Sequence, residues 1–281
     1  MGPMPRARSN GIELEYDTFG DRSAPPLLLI GGLGTQLISW DEGFRELLAR
    51  RGFYVIRFDN RDAGLSSWIE DGSSYSLEDM AADAVGLLDV LGIRAAHVVG
   101  ASMGGFIAQL MALDHPERVL TLTSLISGPN GQDQVPPTPL ATALLLMEAP
   151  PSREGRIELG LDAKRKLLGP SDPFDEAYER AKIVRALDRA YNPSGFMRQL
   201  QAITAASSRL SRLRALSVPA LVVHGDADIL VPVGNGRSVA AAIPGARYVE
   251  IAGMGHDVPR RVWPQVVDAI AELARQSSPT C

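Results

Sequence analysis

A serine between two glycines is the feature of this sequence with the clearest chemical meaning. Ser102 is the centre of the pentapeptide Gly-Ala-Ser-Met-Gly at residues 100–104. Residues 96–99 predict a short buried strand before it, and residues 103 to about 113 predict a helix after it. So abrupt a change holds the central residue in strained backbone angles and exposes its side chain. We therefore predict that Ser102 is a nucleophile, the alternative being an ordinary loop serine between helix-breaking glycines.

A serine hydroxyl at neutral pH needs a base to take its proton, and the chain has four histidines to choose from. His97 begins a predicted strand, His115 follows a helix end, and His224 lies within the end of another strand. His256 differs from them because it lies in a glycine-flanked loop, Gly-Met-Gly-His-Asp, directly after a strand. That loop leaves the imidazole free to turn toward Ser102, so we predict that His256 is the base.

The base in turn needs a carboxylate that orients it. Asp226 and Asp228 both follow the predicted strand at residues 220–224. Asp228 lies farther along the loop and is better placed to reach back to an imidazole. We expect Asp226 to bond the N–H groups of its own turn instead. Asp228 is therefore the predicted third member of the site.

Alternating strand and helix patterns must position these residues. The unbroken apolar run at residues 27–30 predicts a strand covered on both faces, and residues 53–58 and 119–125 predict further strands, with helical patterns between them. Such alternation predicts an α/β fold with a mostly parallel sheet flanked by helices, and an active site at the carboxyl ends of its strands. Residues 12–16 alternate apolar and charged side chains, which predicts an antiparallel edge strand. The charged stretch at residues 59–64 is expected to brace a loop.

The pattern changes between residues 129 and 194. Prolines punctuate helical pieces there, and no strand pattern occurs. We predict a helical lid (cap) at residues 129–194 over a core formed by residues 1–128 and 195–281. The Leu-Leu-Leu-Met run at residues 144–147 is expected either to line a pocket or to pack within the lid. Its apolar character suggests a substrate with an apolar acyl or aromatic group.

The composition bounds the possible partners and the compartment. The chain has 281 residues, 45% of them hydrophobic and 22% charged, as is typical of a globular enzyme. A net charge of −5 without a basic stripe argues against nucleic acid. No run approaches 18 apolar residues and the first ten residues lack the apolar segment of a secretory signal, so no membrane span and a cytoplasmic location are expected.

Cofactor chemistry is not indicated either. The single cysteine, Cys281, forms no internal disulfide and is not expected to be a nucleophile. No cluster of histidine, cysteine and acidic residues has metal-ligand spacing, so the expectation is no cofactor and no metal. The sequence is silent on the oligomeric state.

Taken together, the motifs resemble those of the α/β hydrolases from about residue 12 to residue 274. The matching stretches are Gly-Gly-Leu-Gly at 31–34, Asp-Asn-Arg-Asp-Ala-Gly-Leu-Ser at 59–66, the turn at 100–104, His-Gly-Asp-Ala-Asp at 224–228 with Val-Pro at 231–232, and Gly-Met-Gly-His at 253–256. The order serine, aspartate, histidine is that of this family. Within it, the chain resembles the small esterases of actinobacteria, among them methylesterases of anthracycline biosynthesis, and the cofactor-free haloperoxidase-like relatives.

This resemblance implies an oxyanion hole formed by the backbone N–H groups of Leu33 and Met103. Many relatives carry histidine where this chain has Gly31. The backbone donors can survive that difference, whereas side-chain bracing of the loop is lost. The implied activity is that of a serine carboxylesterase, in which small to medium carboxylic esters form an acyl-enzyme on Ser102 that water then hydrolyses.

Other activities remain open on the sequence alone. A nucleophilic serine argues against the dehalogenase and epoxide-hydrolase branches, which carry a carboxylate at that position. A cofactor-free perhydrolase uses the same three residues and differs in the nucleophile that deacylates the enzyme. Thioester or amide cleavage is a further alternative, and a ligand-sensing protein with a hydrolase fold belongs to a different class.

Overall fold

The computed structural model describes residues 4–70 and 72–277. Cys281 lies outside the described residues, as do residues 1–3 of the segment in which no secretory signal is expected. The strands of the described part are β1 (Arg6–Ser9), β2 (Ile12–Phe19), β3 (Pro26–Ile30), β4 (Tyr54–Phe58), β5 (Ala96–Ala101), β6 (Val119–Leu125), β7 (Ala220–Gly225) and β8 (Arg247–Ile251). Its α-helices are α1 (Glu42–Arg50), α2 (Leu77–Val90), α3 (Met103–Asp114), α4 (Pro139–Leu145), α5 (Arg153–Leu167), α6 (Glu176–Arg189), α7 (Pro193–Ala205), α8 (Leu210–Leu213), α9 (Gly234–Ala242) and α10 (Trp263–Ser277).

The strands form one twisted layer in the order β1-β2-β4-β3-β5-β6-β7-β8. Strands β3 to β8 all run parallel to one another, whereas β2 is antiparallel to its neighbours β1 and β4. This confirms the predicted α/β-hydrolase fold class, a mostly parallel sheet flanked by helices. The carboxyl ends of β3, β5, β7 and β8 therefore meet at one edge.

Residues 12–16 do not form the edge strand that their alternation predicts. They belong to β2, and β1 pairs outside it with Ala7 opposite Leu14. The inward positions of β1 carry only Ala7 and Ser9, which are too small and too polar to produce an apolar pattern. Ser9 instead donates a hydrogen bond to the Asp83 carbonyl of α2 at 2.9 Å, so the strand is fixed by a polar contact.

Helices cover both faces of the sheet because successive side chains of a strand point to opposite faces. In β3, Leu28 and Ile30 join a core with α2 and α3, whereas Leu27 and Leu29 join a second core with α1 and α10. All four side chains are fully buried. Burial of each stabilises the fold by roughly 1.5–3 kcal/mol, which is why the central strands read as unbroken apolar runs.

Helices α4, α5 and α6 follow β6, and residues 129–194 contain no strand. Helix α7 begins at Pro193, so it crosses the boundary at residue 194 that the sequence predicts for the lid. The division into a core and a lid stays a prediction. Within residues 4–70 and 72–277, no helix is both long and apolar enough to cross a bilayer.

The charged stretch after β4 braces loops, as predicted, and it also holds α6. Asp59 accepts hydrogen bonds from the backbone N–H groups of Leu37 and Leu65 at 2.6 and 2.9 Å. The Arg189 guanidinium of α6 lies 2.7 Å from the second Asp59 oxygen. Burial raises the pKa of the Asp59 carboxyl, and Arg189 together with these N–H groups opposes the rise. A buried carboxylate therefore depends on a cation from α6.

We expect Arg189→Met to lower the free energy of unfolding by about 3–5 kcal/mol at pH 8, because it leaves the Asp59 charge buried and unpaired. The loss should shrink at pH 5. Since the folded-state pKa of Asp59 lies above its unfolded value, the folded protein takes up the proton first as the pH falls, and the neutral carboxyl no longer needs a cation. Denaturant unfolding at both pH values measures the effect.

Arg153→Met is the matched control, because Arg153 of α5 forms an exposed ion pair with Asp188 of α6. Its cost should stay below about 1 kcal/mol at either pH. Equal losses for the two variants, or a loss for Arg189→Met that does not depend on pH, would contradict the role given to Asp59.

Candidate active site

Ser102 occupies the turn between β5 and α3 in a conformation that few residues adopt, with φ 55° and ψ −119°. The chain is packed so tightly here that side chains at the neighbouring positions 100 and 104 are impossible. A Cβ on Gly100 would lie 2.0 Å from the Gly104 carbonyl oxygen, and one on Gly104 would lie 2.1 Å from that of Ile30. The two glycines of the pentapeptide are therefore required by this turn.

Hydrogen bonds from the surrounding elements hold Ser102 in this strained backbone conformation. The Ser102 N–H donates to the Leu125 carbonyl of β6 at 2.9 Å. The Ser127 hydroxyl donates to the Ser102 carbonyl at 2.9 Å, and the Gly105 N–H of α3 donates to the same oxygen at 2.8 Å. Both backbone groups of the serine are thus satisfied, which holds its side chain at the tip of the turn.

The structure brings the three predicted residues into one hydrogen-bonded chain. His256 Nε2 lies 3.0 Å from the Ser102 hydroxyl, and His256 Nδ1 lies 2.8 Å from Asp228 Oδ2. The histidine loop is held by the end of α5, because the His256 N–H donates to the Leu167 carbonyl at 2.7 Å. Hydroxyl, imidazole and carboxylate are therefore in the geometry that general-base activation of a serine requires.

The turn after β7 is bonded by Asp228 and not, as expected, by Asp226. Asp228 Oδ1 accepts hydrogen bonds from the turn's own N–H groups, those of Leu230 and Val231, at 2.9 and 2.8 Å. Asp226 instead accepts from the Gly253 N–H, in the loop that carries His256, at 2.6 Å. The expectation for Asp226 is thus wrong. Its position at the start of the turn aims its side chain across to the neighbouring loop.

Asp228 is almost fully buried yet remains a carboxylate. Burial acts to raise its pKa, but His256 and the hydrogen bonds from His224, His256 and Val231 outweigh burial together and hold the pKa far below its ordinary value. Near neutral pH its oxygens therefore only accept hydrogen bonds. An acceptor at Nδ1 of His256 keeps the ring proton on that atom and leaves Nε2 free to accept the serine proton.

The remaining histidines have other surroundings. His97 Nδ1 lies 2.9 Å from the Thr121 hydroxyl, and burial lowers the pKa of His97 to about 4, so the ring is neutral. His115 lies at the far end of α3 from Ser102. His224 is closer to the site than its strand position suggests, because its Nε2 bonds the Val231 carbonyl at 2.7 Å and lies 3.4 Å from Asp228 Oδ2. The buried carboxylate thus contacts two imidazoles.

The glycine-rich loop after β3 passes directly beside the serine, since a Cβ on Gly32 would lie 3.4 Å from the Ser102 Cβ. Within the described part of the chain, the N–H groups of Leu33 and Met103 donate to no other group. Met103 begins α3, where the first N–H groups have no partner in the helix. Both predicted oxyanion donors are therefore available to a ligand.

Other side chains brace the glycine-rich loop in place of the side chain that Gly31 lacks. A Cβ on Gly31 would lie 2.7 Å from the Thr35 hydroxyl, which donates to the Gly32 carbonyl at 3.0 Å. Asn60 donates to the Gly31 carbonyl at 3.1 Å, and Gln199 of α7 accepts from the Gly34 N–H at 2.8 Å. Sequence reasoning missed these three side chains. Asn60 lies in the stretch at residues 59–66 that resembles the α/β hydrolases. For Gln199, the only sequence signal is that a polar residue lies on an apolar helix face.

A cavity of about 670 Å³ opens on Ser102 and His256, large enough for a drug-sized molecule. Aromatic rings contribute to its walls, from Trp40, Phe44, Tyr178, Phe196 and Trp263. The expectation for the Leu-Leu-Leu-Met run is half right. Leu144 and Leu145 line the cavity, but Leu146 and Met147 are 64% and 47% exposed, because α4 ends at Leu145.

Parallel strands here bring a serine, an aspartate and a histidine, in that order along the chain, to one edge of the sheet. This arrangement defines the α/β hydrolases. A family model described as alpha/beta hydrolase fold matches residues 25–259, so this chain belongs to that family.

Relatives in this family share most of their length with the chain. It is 33% identical to the rhodomycin D methylesterase DauP of Streptomyces sp. (strain C5), over 95% of this chain and 96% of that protein. It is 32% identical to the rhodomycin D methylesterase DnrP of Streptomyces peucetius, over 98% and 99%. The crystal structure of the enol-lactonase from Burkholderia xenovorans LB400 is 28% identical, covers 97% of this chain and 99% of its own, and has a TM-score of 0.73. The predicted resemblance to esterases of this family is confirmed.

We expect Gly100→Ala to destabilise the protein by about 1–3 kcal/mol or more, because the added methyl group must displace the backbone of α3. Gly234→Ala is the control, since its Cβ would meet only Val135 at an ordinary 3.5 Å. Alanine at that helical position should leave the stability within about 1 kcal/mol of the wild type, on the stabilising side. Thermal unfolding of both variants measures this, and a neutral Gly100→Ala would show that the turn is not as tight as described.

Proposed function

We propose that this chain is a serine carboxylesterase that hydrolyses small to medium carboxylic esters, methyl esters among them. The observation that carries the proposal is the hydrogen-bonded chain from Ser102 through His256 to Asp228 at the floor of a largely apolar cavity. Two of its relatives are methylesterases over nearly the whole chain, which agrees with a carboxylic ester hydrolase.

In the proposed reaction, Ser102 Oγ attacks the ester carbonyl carbon while His256 Nε2 takes the hydroxyl proton. The tetrahedral oxyanion accepts hydrogen bonds from the Leu33 and Met103 N–H groups, each typically worth about 2.7–4 kcal/mol in the transition state. His256 then gives its proton to the leaving alkoxide, and the alcohol departs to leave an acyl-enzyme. Water attacks that acyl group by the same route and releases the acid.

Asp228 has two roles in this proposal. It fixes the imidazole in the tautomer that can accept the serine proton, and its negative charge stabilises the imidazolium that forms. Its low pKa keeps it ionised throughout, so it does not take the proton itself.

The lid decides which esters fit. We propose that residues 129–194 form it and that its Leu144 and Leu145 contact the apolar part of the substrate. The aromatic walls favour a substrate with a flat or extended apolar acid portion, while a small alcohol such as methanol needs little room to leave.

The direct test is hydrolysis of p-nitrophenyl esters from acetate to palmitate and of methyl esters of the same acids. We expect Ser102→Ala to lower kcat by at least about 10⁴-fold on every substrate, because the nucleophile is lost while the fold is retained. Ser23→Ala, on an exposed loop, is the control and should keep full activity. Ester turnover that survives Ser102→Ala would rule out the proposed mechanism.

A further inference from the structure

Two side chains of the lid face the cavity with unused hydrogen-bonding capacity. Glu179 and Lys182 lie one turn apart on α6, and both line the cavity that opens on Ser102. Glu179 is only 7% exposed, and its buried Oε2 has no hydrogen-bond partner. Within residues 4–70 and 72–277, no carboxylate lies within 4.0 Å of the Lys182 ammonium, which lies 5.0 Å from the centroid of the Tyr178 ring.

The charged groups around them are already engaged. Lys164 forms an ion pair with Asp257 at 2.7 Å, and the Tyr178 hydroxyl donates to Asp41. Burial, and after it the neighbouring Lys164 ammonium, lower the pKa of Lys182, whereas Glu179 and two aspartates oppose the shift. The positive charge of Lys182 is thus incompletely compensated by the nearby negative charges. The cavity wall therefore carries a carboxylate and an ammonium group, one helical turn apart, that lack hydrogen-bond partners within the described chain.

A buried carboxylate oxygen without a hydrogen bond is unfavourable, so an occupant that satisfies it gains affinity. A hydroxyl group fits both side chains at once, because it donates one hydrogen bond and accepts others. It is also neutral, which leaves the balance between one anion and one cation undisturbed. A carboxylate would satisfy Lys182 but repel Glu179, and an ammonium group would do the reverse.

We propose that Glu179 and Lys182 form a subsite for a hydroxyl group, alcohol or phenol, on the non-reacting part of the ester. That hydroxyl donates to the Glu179 carboxylate and accepts from Lys182 Nζ. The subsite deepens the proposed function, on which its role in substrate selection rests, and makes hydroxylated apolar acids the preferred acyl class.

Binding to the Ser102→Ala protein tests the subsite without relying on turnover. Methyl esters of hexanoic, octanoic and decanoic acid are compared with their ω-hydroxy counterparts, with the fluorescence of the cavity residues Trp40 and Trp263 as the signal. We expect one chain length or more at which the hydroxylated ester binds at least fivefold tighter than its parent. That ratio should fall to twofold or less when Glu179→Leu or Lys182→Met is added.

Two further variants keep the result interpretable. Lys166→Met removes an exposed lysine of α5 that pairs with Asp162, and it should leave the ratio unchanged. Glu179→Gln keeps an acceptor in the same shape, so it should retain an intermediate ratio even if Glu179→Leu does not fold.

A ratio that is the same in all variants, or no binding of any hydroxylated ester, would overturn the subsite. Tighter binding of the matching ω-carboxylate esters would overturn the choice of a hydroxyl group. Failure of the proposed function is a separate result: the hydroxyl preference would persist in Ser102→Ala, while wild-type protein would hydrolyse none of the esters.

Discussion

The hydrogen bonds that His256 makes on its two sides are the constraint on which the rest of this structure depends. They join a loop after β8, a loop after β7 and the turn after β5 within 2.8 and 3.0 Å. Such distances hold only if three separate strands end at the same edge of the sheet and the loops that follow them are fixed in position. The parallel sheet supplies the common edge, and its two apolar cores fix the strands in it.

Loop positions are then secured by polar contacts that cross from one element to another. The end of α5 holds the histidine loop through Leu167, α7 holds the glycine-rich loop through Gln199, and α6 is anchored on the buried Asp59 through Arg189. Helices α5, α6 and α7 thus line the cavity and also contact the loops around it. Helix α6 also carries Glu179 and Lys182, so the proposed hydroxyl subsite lies on a helix that is anchored on the buried Asp59.

Much of the fold and the three central residues could be predicted because each leaves a local pattern. Apolar runs mark the strands, and the glycines around Ser102 mark a turn in which a Cβ cannot fit. What escaped prediction depends on pairing across the chain. Strand β1 is fixed against α2 by Ser9, and Asp226 bonds a neighbouring loop. In the sequence, Glu179 and Lys182 look like ordinary charged residues on a solvated helix face, although both line the cavity. Their partners are distant in sequence, so no local period records them.

The most direct measurement of the central claim compares Asp228→Asn with Asp226→Asn, two like changes in one loop. The account predicts that Asp228→Asn lowers kcat by about 10³–10⁴-fold with little change in KM, because the amide no longer fixes the ring proton at Nδ1 of His256. Asp226→Asn removes only a carboxylate contact to the Gly253 N–H and should stay within about tenfold of the wild type. Comparable losses in the two variants, or full activity of Asp228→Asn, would contradict the account.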